Sequence, residues 1–404
     1  MPDFEDPSPP SQNRLTAPFL LLAVFYFLAF FAGYQLFAVM PLHLRDMGAS
    51  LAESGRFMGG FTLGSALGSL FTGPLGDRLG QRRVLRVASL LMVVFFVAYG
   101  FLPTRWGFFL LAPIHGLLWS GLRTASMTKA GSMLAPSQRA EGMAFFGMAG
   151  PGGVALGPLV GLLVLPFVGF KWLVLLLGSA YLLLHVLIKS LPGDAPSQGR
   201  TSALFQLPDR SVLVPVLILF LLGISFGPIP PYSPQEAKFL HEAWPSALIT
   251  TLAGGMVGMR LIIGLTGMGR RPIDQLRRVI LLTLAGMVLL ALMPGGLPRH
   301  VLGGLLYGAG YGMVHTLIFM VIIERSQPDR RGAAVGALYF SYDAGQAVGV
   351  LLAGGLMEAV SHRWGLAMGY RSGWALAALA LGGTALLAGR VMRPGSTDVP
   401  PRAD

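Results

Sequence analysis

The chain has 404 residues, of which 53% are hydrophobic and only 12% are charged. Soluble domains carry roughly 25% charge, so this composition excludes a water-soluble globular protein and points to a polytopic membrane protein. The net charge of +12 does not signal a nucleic-acid partner, because the arginines sit in short segments between apolar runs, as membrane topology requires.

Residues 1–16 are polar and proline-rich, with Asp3, Glu5 and Asp6. A secretory signal would open basic and then turn apolar, so this segment reads as a cytoplasmic tail. About twelve runs of ~20 residues follow, each long enough to span a bilayer. They lie near 17–42, 52–74, 84–102, 106–130, 140–167, 171–190, 211–232, 245–267, 278–294, 298–323, 332–358 and 370–391. Only Gly169-Phe170-Lys171 parts the fifth from the sixth. Lys and Arg concentrate in the segments on the side of the N-terminus, which places both termini in the cytoplasm. There is no cysteine, hence no disulfide framework, thiolate metal site or cysteine nucleophile.

Between the second and third runs stands Gly73-Pro74-Leu75-Gly76-Asp77-Arg78-Leu79-Gly80-Gln81-Arg82-Arg83. Flanked by membrane-spanning runs, it reads as a very short surface loop. Its glycines let the chain reverse. Asp77 can accept hydrogen bonds from a helix N-terminus or from the arginines. The spacing resembles the loop between helices two and three of the major facilitator superfamily of secondary transporters, G-x-x-x-D-R-x-G-x-R-R, with every fixed position filled. The resemblance implies an all-α membrane protein of about twelve transmembrane helices in two pseudo-symmetric six-helix halves. It also implies that Gly73, Asp77, Arg78, Gly80 and Arg83 belong to a conformational gate. It says little about substrate.

The fourth run holds His115, one turn from Trp119, and Arg123. Arg123 cannot deprotonate, so it needs an acid or an anionic substrate, unless it snorkels to the headgroups. Drug–proton antiporters of the superfamily often carry an arginine in this run; here Leu111-Ala112-Pro113-Ile114-His115-Gly116 has Ala112 in its place. The fifth run reads Gly153-x-x-x-Gly157-Pro158-x-x-Gly161. The proline removes a helix hydrogen bond and the glycines permit close approach, giving a bend at the boundary between halves. This run resembles the antiporter signature of export-type facilitators, with Leu162 at the last position, and implies export.

Residues 191–210 are rich in Pro, Gly, Ser and Gln. They read as a cytoplasmic linker between an N-terminal half, 17–190, and a C-terminal half, 211–391, with a second cytoplasmic tail at 392–404. The halves echo each other. Arg139-Ala140-Glu141-Gly142 precedes the fifth run and Asp329-Arg330-Arg331-Gly332 the eleventh. Such weak symmetry is expected of two repeats related by an axis along the membrane normal, with substrate between them near midplane. Glycines recur every four residues on the second run (Gly60, Gly64, Gly68), the fifth, the eighth (Gly254, Gly258) and the eleventh (Gly345, Gly349). In the facilitator fold these four helices line the interface between halves, so the ridges are expected there.

In the C-terminal half, Phe226-Gly-Pro228-Ile-Pro230-Pro231-Tyr232 is expected to break the seventh run. Arg260 reads as snorkelling or structurally paired. Asp343 lies eleven residues beyond Gly332, about 16 Å along a helix and near the bilayer centre. No other acid sits as deep by these boundaries; Glu236, Glu242 and Glu358 fall at the outer surface. A carboxylate in hydrocarbon faces a cavity, pairs with a base or stays protonated, all of which suit proton coupling. His315, near-equivalent to Arg123, is a second titratable candidate. Tyr26, Tyr307, Tyr311 and Tyr342, with Arg123 and His115, are candidates to bind an organic solute. No phosphate-cradling loop, H-E-x-x-H or G-x-S-x-G appears, so no enzymatic activity is expected. The expected function is proton-driven export of a small organic molecule by a monomer in a bacterial inner membrane, with the proton gradient in place of a cofactor. Uptake symport and a non-transporting scaffold or sensor are the alternatives.

Overall fold

A computed structural model describes residues 15–135, 138–194, 210–266, 272–326 and 331–391. The tail at 1–14, most of the linker (195–209), the tail at 392–404 and the acidic-basic echo at 327–330 lie outside the described residues.

The helices are α1 (Ala17–Asp46), α2 (Leu51–Leu79), α3 (Gln81–Phe101), α4 (Arg105–Ser132), α5 (Arg139–Ile188), α6 (Leu213–Phe226), α7 (Ile229–Phe239), α8 (Ala247–Thr266), α9 (Pro272–Leu292), α10 (Leu297–Arg325), α11 (Arg331–Trp364) and α12 (Leu366–Val391). Among the described residues, eight helical stretches are long and apolar enough to cross a membrane. One of them is α5, which contains two passes. α6 and α7 form one pass interrupted at Gly227-Pro228, where the proline ring brings no N–H. α2, α4 and α8 complete twelve passes, their apolar character diluted by Gly, Ser and single charges.

Local chemistry sets the ends. Ser50 accepts the Glu53 N–H at 3.2 Å while Glu53 accepts the Ser50 N–H at 3.0 Å, a capping box that starts α2. α2 then runs through Gly73, Pro74, Asp77 and Arg78 as far as Leu79. The expected surface loop is therefore a single residue: Gly80 turns at φ 87°, where a Cβ would be strained, and α3 begins at once. Gly169 breaks α5 in the same way at φ 72°, and Gly365 parts α11 from α12 at φ 83°. These two turns occupy equivalent places in the two halves, each beside an exposed tryptophan, Trp172 and Trp364. They lie on the face opposite to the one where α1 begins and α12 ends; we call these the distal and terminal faces.

Within the first half α1 packs on α5, α2 on α4, and α3 on both α4 and α5. The second half repeats this with α8 on α10, α11 on α6 and α12 on α9. Across the halves α2 meets α11, α5 meets α8 and α1 meets α7. The four helices expected at the interface are there, but the glycine ridges of α2, α5 and α11 do not face it. A Cβ at Gly64 would run into the Pro113 carbonyl oxygen of α4, and one at Gly153 would lie 2.6 Å from the Phe31 nitrogen of α1. Gly157 abuts the Phe31 oxygen and Gly161 abuts Gln35, while Gly345 and Gly349 abut α6. Gly254 and Gly258 touch nothing within 4 Å. The ridges on α2, α5 and α11 thus bring helices together inside each half, where permanent backbone contact gains dispersion energy. Pro158 likewise sits in the limb of α5 that packs on α1.

Candidate functional site: a central cavity between the halves

At the centre of the molecule, α4 and α11 face each other across the halves. Arg123 of α4 grips Asp343 of α11 with both terminal nitrogens, Nη1 to Oδ1 at 3.2 Å and Nη2 to Oδ2 at 2.6 Å. The carboxylate also accepts Ser65 Oγ of α2 at 2.7 Å and Gln346 Nε2 at 3.2 Å. Asp343 is 2% exposed and Arg123 9%, so this bidentate pair is desolvated and geometrically specific. The guanidinium carbon stands 4.3 Å from the centroid of the Tyr339 ring, a cation–π contact. Arg123 does not snorkel. Its partner lies 220 residues away in the other half.

The pair borders a cavity of about 290 Å³. Phe30, Tyr34, Phe37 and Trp119 wall it on one side, and Phe226, Tyr311, Tyr339 and Tyr342 on the other. Tyr26, Arg260 and His315 also line it. His315 stands edge-on to Tyr342, centroids 5.4 Å apart, and makes no hydrogen bond to Asp343. Tyr311 and Tyr342 are joined by a short hydroxyl–hydroxyl hydrogen bond. An apolar, aromatic pocket with a few convergent polar groups, at the interface of two repeats, has the form of a small-molecule site.

A model of the Major Facilitator Superfamily matches residues 22–350. The chain belongs to the Major Facilitator Superfamily. Its relatives include an uncharacterized MFS-type transporter, YceJ of Bacillus subtilis, 25% identical over 84% of this chain and 90% of that protein. The multidrug resistance protein MdtG of a Rahnella species is 29% identical over 33% of each chain. Among solved structures, a mutant of the nucleoside transporter NupG superposes with a TM-score of 0.74 over 93% of this chain and all of that one, at 14% identity. That likeness establishes the fold. The facilitator is accordingly a multi-pass membrane transporter rather than an enzyme.

Of the residues singled out in the sequence, this facilitator gathers Arg123, Asp343, His315, Tyr26, Tyr311 and Tyr342 at the cavity. His115 and Tyr307 are not there, which corrects the expectation for both. His115 is buried among Phe61, Phe95 and Phe96, with Nδ1 3.1 Å from the Tyr99 hydroxyl, so it packs α2, α3 and α4 together. Tyr307 stacks behind Tyr311 at 5.4 Å and meets Ser225 Oγ at 3.0 Å. Asp77 lies outside the cavity on the terminal face, where Gln81 Nε2 reaches it at 3.4 Å. The carboxylate that caps α3 is instead Asp194, which accepts the Arg82 N–H at 2.9 Å and pairs with Lys129 at 2.9 Å. Gly73 has open space around it.

A second buried charge cluster escaped the sequence reading. Glu236 of α7 is not at the outer surface but 2% exposed. It pairs with Arg299, accepts Trp374 Nε1 at 2.8 Å and lies 3.0 Å from His300 Nε2. His300 Nδ1 is in turn 2.8 Å from Glu242. The cluster ties α7, α10, α12 and the 240–246 turn into one block of the second half. The adjacent Arg299-His300 at the start of an apolar run was the available signal.

Proposed function

We propose that this facilitator is a proton-coupled secondary transporter that moves a small organic molecule by alternating access. The observation that carries the reading is the Arg123–Asp343 pair, because it joins opposite halves at the cavity itself. With Asp343 ionised, Coulomb attraction in a low-dielectric setting ties α4 to α11. A proton on Asp343 cancels one of the two charges, weakens the clasp and lets the halves rock about the cavity. Protonation and opening are then one equilibrium, which is what coupling requires. In this reading 17–190 and 211–391 are the moving units, 191–210 the cytoplasmic linker, and the monomer sits in a cytoplasmic membrane with both termini inside.

Export is the leading direction. It is supported by the Gly153–Gly161 signature in α5 and by the partial match to a multidrug resistance protein. Uptake by symport is the second reading, and one observation favours it. Asp343 occupies the fork of Arg123, so a proton that frees the fork also frees a binding site for an anion; proton and anion would bind together rather than compete. Acid-loaded everted vesicles containing acridine orange distinguish the two. An exporter releases protons when its substrate is added, reversing the quench, and Asp343→Asn abolishes the signal. Accumulation only in right-side-out vesicles establishes uptake. No pH-linked flux in either orientation, across a panel of organic acids, bases and neutral compounds, defeats the coupling.

A further inference from the structure

The charges around the cavity do not balance, and the imbalance has one sign. Asp343 is the sole carboxylate among the described residues that line it. That carboxylate is spent: two arginine nitrogens, a serine hydroxyl and a glutamine amide already point at it. Arg260 of α8 lines the same cavity, half-buried, and has no hydrogen bond or ion pair among the described residues. A guanidinium stays charged at any working pH. The cavity therefore holds one uncompensated positive charge when Asp343 is ionised. When Asp343 is protonated Arg123 is released as well, and the charge becomes more positive. In neither state is the cavity negative.

From this we infer that the cavity binds organic anions: a carboxylate on a flat, apolar body, its charge held by Arg260 and its rings lying between the aromatic walls. The guanidinium fork matches a carboxylate with two parallel hydrogen bonds. The walls belong to different halves, Phe30 against Trp119 at 4.9 Å in one and Phe226 against Tyr311 at 5.1 Å in the other. A slot of that kind favours an aromatic or otherwise planar body by offset stacking. Aromatic faces also attract cations, but a cationic solute would meet Arg260 with no free carboxylate to answer it, and like charges repel more strongly between apolar walls than in bulk water. The inference rests on the cavity being the transport site and is independent of the direction of transport.

The experiment uses benzoate and 2-naphthoate as probes, each compared with its carboxamide and its methylammonium counterpart. Binding to the detergent-purified protein is read by thermal shift and by calorimetry. Both carboxylates are expected to bind, and the carboxamides and ammonium compounds to bind at least roughly tenfold more weakly, since a hydrogen bond to a charged group is worth at least a factor of ten. Arg260→Gln is expected to remove the preference, whereas Arg260→Lys keeps the charge and much of the affinity. Unliganded melting of both variants should match the parent, since Arg260 holds no partner among the described residues. Equal or tighter binding of the ammonium compounds, a preference that survives Arg260→Gln, or no carboxylate binding at millimolar concentration each overturns the inference. Failure of proton coupling is a separate result: Asp343→Asn that binds benzoate but shows no pH-driven flux leaves the anion site standing, and pH-driven flux of a cation removes it while leaving coupled transport intact.

Discussion

Glu358 of α11 accepts the backbone N–H of Ala52 at 2.7 Å, so a carboxylate of one half caps the first turn of a helix in the other. Ser50 Oγ donates to the same oxygen at 2.5 Å. Nearby, Gln235 Nε2 of α7 meets Ser54 Oγ of α2 at 3.0 Å, again across the halves. The distal face is thus shut by polar contacts that must break whenever that face opens. An anion at a helix N-terminus contributes about 0.3–2 kcal/mol. Glu358→Ala should therefore shift the population toward the distally open form by up to roughly thirtyfold. The chain has no cysteine, so spin labels at Asp46→Cys and Lys238→Cys, residues of opposite halves whose side-chain Oδ1 and Nζ lie 3.9 Å apart, report the opening directly. An unchanged distance distribution would show that this contact restrains nothing.

The central clasp makes its own energetic prediction. Removing one partner leaves a buried, uncompensated charge and costs about 3–5 kcal/mol, whereas replacing both by apolar side chains is close to neutral. Arg123→Met and Asp343→Leu should each lower the melting temperature, and the double variant should recover most of the loss while transporting nothing. Additive destabilisation in the double variant would mean that the two side chains do not act as a pair.

Arg123→Lys tests the geometry rather than the charge. Lysine keeps the positive charge but loses the two-pronged grip and the flat contact over Tyr339. Transport should drop steeply while folding is largely kept, because the buried carboxylate still has a cation. Parental rates would mean that a point charge suffices.

The glycines divide into two classes. Gly157→Leu drives a side chain into the backbone of α1, so it should impair folding of the first half and not merely stop the cycle. Gly254→Leu meets open space, and exposed substitutions of this kind usually stay within about 0.5 kcal/mol. Yield of monodisperse protein on size exclusion separates them. A well-folded Gly157→Leu protein with blocked transport would return that ridge to the boundary between halves.

Among buried groups, Glu236→Gln should be as harmful as loss of Asp343, at about 3–5 kcal/mol, because it strips Arg299 and His300 of their shared carboxylate. Thermal unfolding of the purified variant measures it; a shift below about one degree, far less than such a loss produces, would assign the cluster no structural weight.

Apolar runs made the passes legible, since length and hydropathy are local properties. Gly169 was visible as the only interruption in a long run, and it does break α5. Asp343 and Arg123 were each recognisable, because a lone charge in hydrocarbon demands an explanation. That they answer each other was not, for 220 residues separate them and no local pattern encodes the pairing. Glu236 was misread for the opposite reason. It stands near the end of a run, where acids usually meet water, and it is Arg299 and His300 of α10 and Trp374 of α12, distant in sequence, that close on it. The glycine ridges were found correctly but assigned to the wrong neighbour, since periodicity identifies a helix face without saying what that face touches.

The turns at Gly169 and Gly365 leave no slack. Each joins two full-length helices through a single residue, so neither limb can slide along the membrane normal without dragging its mate. Exposed Trp172 and Trp364 put an interfacial aromatic at each tip, where headgroups hold it at a preferred depth. The two tips therefore behave as floats, one per half, each setting the draught of its own six passes. Rocking that raises one float and lowers the other does work against the lipid. A mismatch costs fractions of a kcal/mol per Å, so acyl-chain length becomes a ballast that trims the balance between the two orientations of the transporter.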